Sequence, residues 1–532
     1  MKFPQDSTQS GLLTRMFRPN RRIFAGIAVC LATAFFFSVV PLRSDTATVS
    51  IEPTLSGSHI PTPAPSTAGP RPNIVLILAD DLGWRDVGYH QSNIKTPRID
   101  ELAAGGLELD RFYVQPTCSP TRAALLTGQS SLRHGIFEPI SKYTEQGLPL
   151  DLHTLPQYFQ EAGYQTFMSG KWHLGHSTRA QHPNARGFDH FYGFLRGGIG
   201  YWDHVHGGGV DWQRNGTTVR EEGYSTHLLA KESVKLIEQR DPSRPFFLYA
   251  SFNAPHMPNE APAASVEEYS HLTDNNRRVH AAMVTELDRA IGQIVDTLSQ
   301  QGLMDNTLIW FMSDNGGLNE SAMPDNHVKV IKTLSDWFTP PLPIKILEFA
   351  RTNMLDSASD NTPLRKGKTS VYEGGVRVPA LLYWQGQLSP KTIDARISVQ
   401  DVLPTLAEAA GLALRPNQTV DGVSQWPLLK HNQPTPSSDW MVHGRDGEAY
   451  LQDNWKLILP KGGEPELFDL EQDPTETNNV ATANPMLVSS LRQKIETFPR
   501  GENIAGSLLR VLLDPDLFGG EEDREPWAEQ IK

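Results

Sequence analysis

Short runs in which nearly every residue is apolar, each ending abruptly in acidic or amide side chains, set the pattern of this chain. PNIVLILADD at 72–81 and NTLIWFMSDNGG at 306–317 are continuous and rich in β-branched residues, and they stop at Asp80-Asp81 and Asp314-Asn315. Such runs predict strands buried in the middle of a sheet. FFLYASFNAPH at 246–256 repeats the design and brings Asn253 and His256 to its end, and VPALLYWQG at 378–386 predicts a further strand. Between these strands, TPRIDELAAGGLEL and RRVHAAMVTELDRAIGQIVDTLSQQG carry apolar residues at helical spacing. The alternation predicts an α/β fold, a large mixed and mostly parallel sheet sandwiched by helices. Ligands of such sheets bind beyond the carboxyl ends of the strands, so both acidic pairs are expected at one edge.

Beyond about residue 435 the pattern shortens. EAYLQDNWKLILP and EPELFDL predict strands and PMLVSSLRQKIETF a helix, together a small C-terminal α+β subdomain over 436–500. Residues 72–435 then form the main domain, and 501–532 a peripheral tail that is acidic toward its end. At the other end, residues 1–22 are basic and 23–42, IFAGIAVCLATAFFFSVVPL, are uncharged and apolar. That arrangement predicts a signal peptide or a membrane anchor, with Arg15, Arg18, Arg21 and Arg22 on the cytoplasmic side. Residues 43–71 are rich in Ser, Thr and Pro without apolar periodicity and read as a linker. Export follows, to a periplasmic, extracellular or secretory-lumen location or to a membrane-anchored one.

Charge and cysteine content narrow the chemistry. A net charge of −13 over 532 residues excludes a general nucleic-acid binder, which needs a basic surface. The chain has 2 cysteines, and one of them, Cys30, lies in the apolar leader. Cys118 therefore has no partner for a disulfide within the folded part, and is either a small buried hydrophobe or a reactive group.

Its neighbours bear on the choice. In PTCSPTRAALLTG, 116–128, Pro120 suits a first helical position and AALL continues the helix, so Cys118 stands by a helix N-terminus where an anion is favoured. Arg122 follows one turn on, and a guanidinium grips tetrahedral oxyanions through paired donors. Asp80, Asp81, Asp314 and Asn315 offer hard oxygens suited to Ca²⁺ or Mg²⁺. Cation, arginine and cysteine together outline a site for sulfate or phosphate.

CSPTRAALLTG resembles the sulfatase signature, Cys-x-Pro-x-Arg followed by a Leu-Thr-Gly helix. The resemblance extends from Asn73 to about Val480 through NIVLILADDLGWRDVGY, GYQTFMSGKWHLGH, RGFDHFYGF, FLYASFNAPHMP, SDNGG, RKGKTSVYEGGVRVP and LFDLEQDPTETNNVA. It implies an alkaline-phosphatase-like fold and a sulfuric ester hydrolase of the arylsulfatase type. One Ca²⁺ ion would be held by Asp80, Asp81, Asp314 and Asn315. Cys118 would be converted by a separate formylglycine-generating enzyme to formylglycine, whose aldehyde hydrate is the nucleophile and is steadied by Arg122. Lys171 would bind sulfate, His173 would take a proton from the hydrate, and His256 and Lys368 would contact the sulfate and help protonate the leaving oxygen.

Within the family, GKWHLGH, RGFDHFYGFLRGG and TPLRKGKTSVYEGGVR most resemble the arylsulfatase B type, the N-acetylgalactosamine-4-sulfatase group, together with bacterial relatives that act on sulfated polysaccharides. The partner implied is a sulfated small molecule or carbohydrate, and the membrane if the leader is retained. The loop GGIGYWDHVHGGGVDW, 197–212, offers aromatic and histidine side chains to a sugar or to its own packing. Thr121 stands in place of the commoner serine, and Gln129 where many members carry arginine. The stretch 318–362 is longer than this junction usually is, and is expected to form a lid, a surface elaboration or an oligomer contact. Hydrolysis of phosphonate or phosphate monoesters, and an inactive sulfatase-like binding protein, are the alternatives. The complete residue set argues against the second.

Overall fold

A computed structural model describes residues 71–319, 333, 358–504 and 526–531. The leader, all but the last residue of the linker, and most of the 318–362 stretch lie outside the described residues. No helix among the described residues is long and apolar enough to cross a membrane.

Three of the predicted buried strands lie side by side, and two that the sequence reading did not single out as strands, at 165–171 and 190–194, continue the row. Thr307–Ser313, Asn73–Ala79, Phe246–Ser251, Gln165–Lys171 and His190–Phe194 run parallel in that order at the centre of a ten-stranded sheet. Alternation along Asn73–Ala79 shows why the run is apolar throughout. Ile74, Leu76 and Leu78 enter one core with the helix Cys118–Thr127, while Val75, Ile77 and Ala79 enter the other with the helix Asn275–Gln300. Both faces are covered, so neither can be polar.

One element departs from the sequence reading, and another completes it. The helical stretch at 97 ends at Gly105, and Leu107–Leu109 is a strand near the sheet edge, because the Gly105-Gly106 pair ends the helix before its pattern does. Ala380–Tyr383 is a strand as expected, and its antiparallel run against Thr307–Ser313, a direction the sequence did not give, is one of the pairings that make the sheet mixed as anticipated.

The C-terminal subdomain is a four-stranded antiparallel sheet, Trp440–Gly444, Gly447–Gln452, Trp455–Pro460 and Glu466–Asp469, with the helix Pro485–Thr497 on one face through Leu491 and Ile495. Trp440, Val442, Ala449, Leu451, Ile458 and Phe468 on the opposite face pack against Tyr113, Val371, Tyr372 and Val376 of the main domain.

A charged group is sealed at this seam. Lys456 Nζ lies 2.8 Å from Glu373 Oε1 and 2.8 Å from Glu476 Oε1. Burial, helped by Glu373 and opposed by Lys456, pushes the Glu476 carboxyl up to about 7 from 4.5. A carboxyl raised in the folded state contributes stability that is fully present below its unfolded value and lost as pH rises through its folded one. Between about pH 4.5 and 7 the native protein should therefore lose the contribution of Glu476 as pH rises. The thermal midpoint of Glu476→Gln relative to the parent, measured from pH 5 to 8, should shift in favour of the variant as pH increases; a gap independent of pH would contradict this.

Candidate active site

The edge predicted from the two acidic pairs exists. Ala79 and Ser313 are register partners in adjacent parallel strands, so Asp80-Asp81 and Asp314-Asn315 leave the sheet at the same level. Lys171 ends the Gln165–Lys171 strand, with His173 two residues on, and His256 follows the Phe246–Ser251 strand. Within Gln165–Lys171, Gly170 has a φ of +123°, which is open to glycine, and a Cβ there would meet Ser251 O at 1.8 Å.

Cys118 is the first residue of its helix, with Thr117 at the cap, so the helix starts two residues before Pro120. Proline is tolerated there because first-turn amides have no helical partner in any case. All ten residues of the helix are buried, which fixes Cys118 and Arg122 against the strand ends.

Arg122 is fully enclosed. Its Nε and Nη2 donate to Asp314 Oδ2 at 3.0 and 2.7 Å, and its Nη1 donates to Lys171 O at 3.0 Å and Ser251 Oγ at 2.5 Å. Burial opposes its charge, but Asp314, Tyr249 and Asp80 outweigh it and hold the guanidinium more firmly protonated than usual. The fork is thus spent on tying three strand ends together. Ser251, which the sequence reading did not single out, is a hub of that tie, donating in turn to Lys171 O at 2.9 Å. The available signal was a hydroxyl closing an otherwise apolar strand. Arg122→Lys keeps the charge but loses the fork, and should cost about 1.5–3 kcal/mol, the range for hydrogen bonds to charged groups. Denaturant midpoints measure that loss.

The carboxylates are paired with buried ammonium groups. Lys171 Nζ sits 2.6 Å from Asp80 Oδ2, and Lys368 Nζ 2.7 Å from Asp81 Oδ2. Burial pushes the Asp81 carboxyl up, yet Lys368 and His256 more than reverse this and hold it well below the usual carboxylate range. Asp314 is moved the other way, to about 6, by burial and by Asp80 beside it, against the pull of Arg122. Asn315 Nδ2 donates to Asp81 Oδ1 at 2.8 Å.

Two buried oxygens, Asp80 Oδ1 and Asn315 Oδ1, have no hydrogen-bond partner. Enclosed acceptors left unsatisfied are costly. Ligand atoms of Asp80, Cys118 and Asp314 lie within 4.8 Å of one another, as do those of Asp80, Asp81 and His256. Orphaned hard oxygens beside three carboxylates fit an oxygen-seeking divalent cation.

Both histidines are neutral. His173 is buried and its proton affinity is pushed well down by burial, Lys171 and Arg122; its Nε2 faces Ile140 O at 3.1 Å, which leaves Nδ1 as the lone-pair nitrogen, buried and without a partner. His256 is pushed down to about 3 by burial and Lys368, against Asp81, whose Oδ2 is 3.8 Å from its Nε2. Lys368 remains charged because Asp81 offsets its burial. Burial also raises the thiol of Cys118 above its ordinary value, so an unmodified side chain would be an un-ionised, weak nucleophile. Asn253 reaches the rim but turns its side chain to Ser225, and Tyr201 donates to Asn253 O and His256 O at 2.9 and 2.8 Å, fixing that turn. In the 197–212 loop Tyr201 and Trp212 are core, His204 stacks on Trp212, and Trp202 is 49% exposed.

Sheet topology, acidic edge and buried helix together define the alkaline-phosphatase-like class. The sulfatase family model matches residues 72–412, and the chain belongs to the sulfatase family. Among curated relatives it is 33% identical to arylsulfatase J of Mus musculus over 395 residues, 72% of this chain and 60% of that protein. It is 31% identical to N-acetylgalactosamine-6-sulfatase of Homo sapiens over 381 residues, 67% of this chain and 66% of that protein. The chain thus spans less than two thirds of the mouse protein and about two thirds of the human one. Among solved structures it is similar to Ps i-CgsB in complex with k-i-k-neocarrahexaose, with a TM-score of 0.71, 30% identity, and coverage of 84% of this chain and 98% of that one.

Proposed function

We propose that the protein hydrolyses sulfate esters carried on sugars or polysaccharides, using formylglycine made from Cys118 and a calcium ion held by Asp80, Asp81, Asp314 and Asn315. The observation that carries the reading is the buried meeting of Cys118 with Asp80 and Asp314, beside oxygens of Asp80 and Asn315 that lack partners. An all-oxygen set with three carboxylates suits calcium rather than a soft metal. When bound, the ion would offset the charge of the sulfate oxygens and of the hydrate. The aldehyde hydrate would offer one hydroxyl to attack sulfur and a second whose deprotonation releases sulfate.

The remaining roles belong to the chain. Lys171 and Lys368, each anchored by an aspartate, present fixed positive charge to the sulfate oxygens in a site sealed from water, where such charge acts most strongly. His173, neutral and with a bare Nδ1, is fitted to take the hydrate proton. His256 stays neutral even with Asp81 beside it, and the further negative charge of a bound sulfate would raise its proton affinity; Lys368 is protonated throughout and is the standing donor to the leaving oxygen. Arg122 orders Asp314, Lys171 and Ser251 behind them.

Formylglycine-generating enzyme is the maturation partner of this reading. The apolar run at 23–42 supports export, and the k-i-k-neocarrahexaose in complex with the structural relative supports a saccharide as the carrier of the ester. Parallel assays of an aryl sulfate and an aryl phosphonate monoester, with matured protein and calcium, test it. The sulfate should be turned over in strong preference. Preference for the phosphonate would favour the other ester class, and no turnover of either, or of sulfated saccharides, would favour a binding protein.

A further inference from the structure

Lys456 and Glu373 have no exposed side-chain surface, yet sit beside the apolar seam between the subdomain and the main domain. Tyr113 OH donates to Glu373 Oε2 at 2.8 Å, and the Glu373 amide donates to Glu476 Oε2 at 2.8 Å. Enclosing such ions costs several kcal/mol each in effective desolvation, and well-packed apolar residues often hold a seam equally well. What the group does provide is a fixed position for Glu373.

That residue opens the turn Glu373–Val376, and the turn is bonded to three segments that carry the site. Gly316, next to Asn315, donates to Gly375 O at 3.0 Å. Val114, on the approach to Cys118, donates to Val376 O at 2.8 Å, and Gly374 donates to Arg365 O at 2.8 Å in the loop that leads to Lys368. Lys368 N to Gly317 O at 3.0 Å and Thr369 N to Pro116 O at 2.8 Å join those segments to each other. The contacts have no slack: a Cβ on Gly316 would lie 1.8 Å from Gly374 O.

We propose that Lys456, acting through Glu373, is a positioning residue of the active site, so that the C-terminal sheet sets the placement of Asn315, Lys368 and the Cys118 helix. The catalytic part of this inference rests on the sulfatase reading of those three groups. Lys456→Met alone strands two buried carboxylates and endangers folding. The variant Lys456→Met/Glu373→Gln/Glu476→Gln removes all the charge together and leaves a neutral, similarly shaped seam. It should unfold cooperatively.

Hydrogen exchange followed by mass spectrometry should show peptides spanning 112–118, 314–318 and 364–376 exchanging on the order of tenfold faster than in the parent, with the Asn275–Gln300 helix unchanged. Turnover of an aryl sulfate should fall in kcat by about tenfold or more, with KM little altered, because misplacement of reacting groups acts on the transition state. Parent-like exchange in those three peptides would overturn the proposal, and so would faster exchange spread evenly over the chain, which marks a merely structural seam. Exchange needs no substrate. A parent protein without sulfatase activity would therefore sink the sulfatase reading while exchange still decides the positioning.

Discussion

Replacing Cys118 with alanine should abolish sulfate-ester turnover, by a factor on the order of 10⁴ or more, as expected when a nucleophile is removed from a site whose other members act with it. The fold should survive. Cys118 is 3% exposed and small, and losing one sulfur from a site lined by charged groups creates less damage than truncating a core aliphatic residue, about 1 kcal/mol. Cys118→Ser is the sharper control, since it keeps a hydroxyl in place of the thiol. If an ordinary side-chain nucleophile sufficed, serine would restore activity; a modified residue predicts that it does not. Thermal midpoints close to the parent in both variants, with kcat lost in both, is the expected result. A collapse of stability would instead mark Cys118 as a packing residue.

The second large effect concerns Asp81. Its carboxylate accepts from Lys368 Nζ at 2.7 Å and from Asn315 Nδ2 at 2.8 Å, and its φ of +68° is a conformation that asparagine also tolerates. Asp81→Asn therefore changes charge with little change of shape. It removes one proposed calcium ligand and leaves the buried Lys368 without its counter-ion, which should cost about 3 kcal/mol of stability. Activity should fall on the order of 10³-fold, the scale seen when one preorganised electrostatic group is lost. Calcium supplies the decisive comparison. Chelation should lower the thermal midpoint of the parent, because an ion that binds only the folded state stabilises it by mass action, and should move that of Asp81→Asn far less. Equal sensitivity to chelator in both would remove Asp81 from the cation site.

Much of this candidate site is legible in the sequence, for a physical reason. A central parallel strand must be apolar on both faces, so the first charged residues after it mark the sheet edge, and Asp80, Asp81, Asp314 and Asn315 announce themselves. The cysteine motif is local, its members lying within one helical turn. What stayed hidden depends on contacts between distant segments. Nothing in SPTR shows that the Arg122 fork closes on Asp314, 192 residues away. Nothing in WKLILP marks Lys456 as buried, and only the fold brings it to Glu373. The aromatics of 197–212 left a sugar platform and loop packing both open, and only the fold shows that Tyr201 and Trp212 are packed in the core while Trp202 is exposed. The antiparallel direction of Ala380–Tyr383 was equally invisible, as a four-residue apolar run carries no sign of its direction.

The central claim is that Cys118 ceases to be a cysteine in the working enzyme. Tryptic digestion should release FYVQPTCSPTR, residues 112–122. Mass spectrometry of that peptide, from protein matured with a formylglycine-generating enzyme and shown to turn over an aryl sulfate, should find the sulfur of residue 118 gone and an aldehyde in its place, reactive toward hydrazides. Fully active protein whose peptide carries only unmodified cysteine would contradict the account.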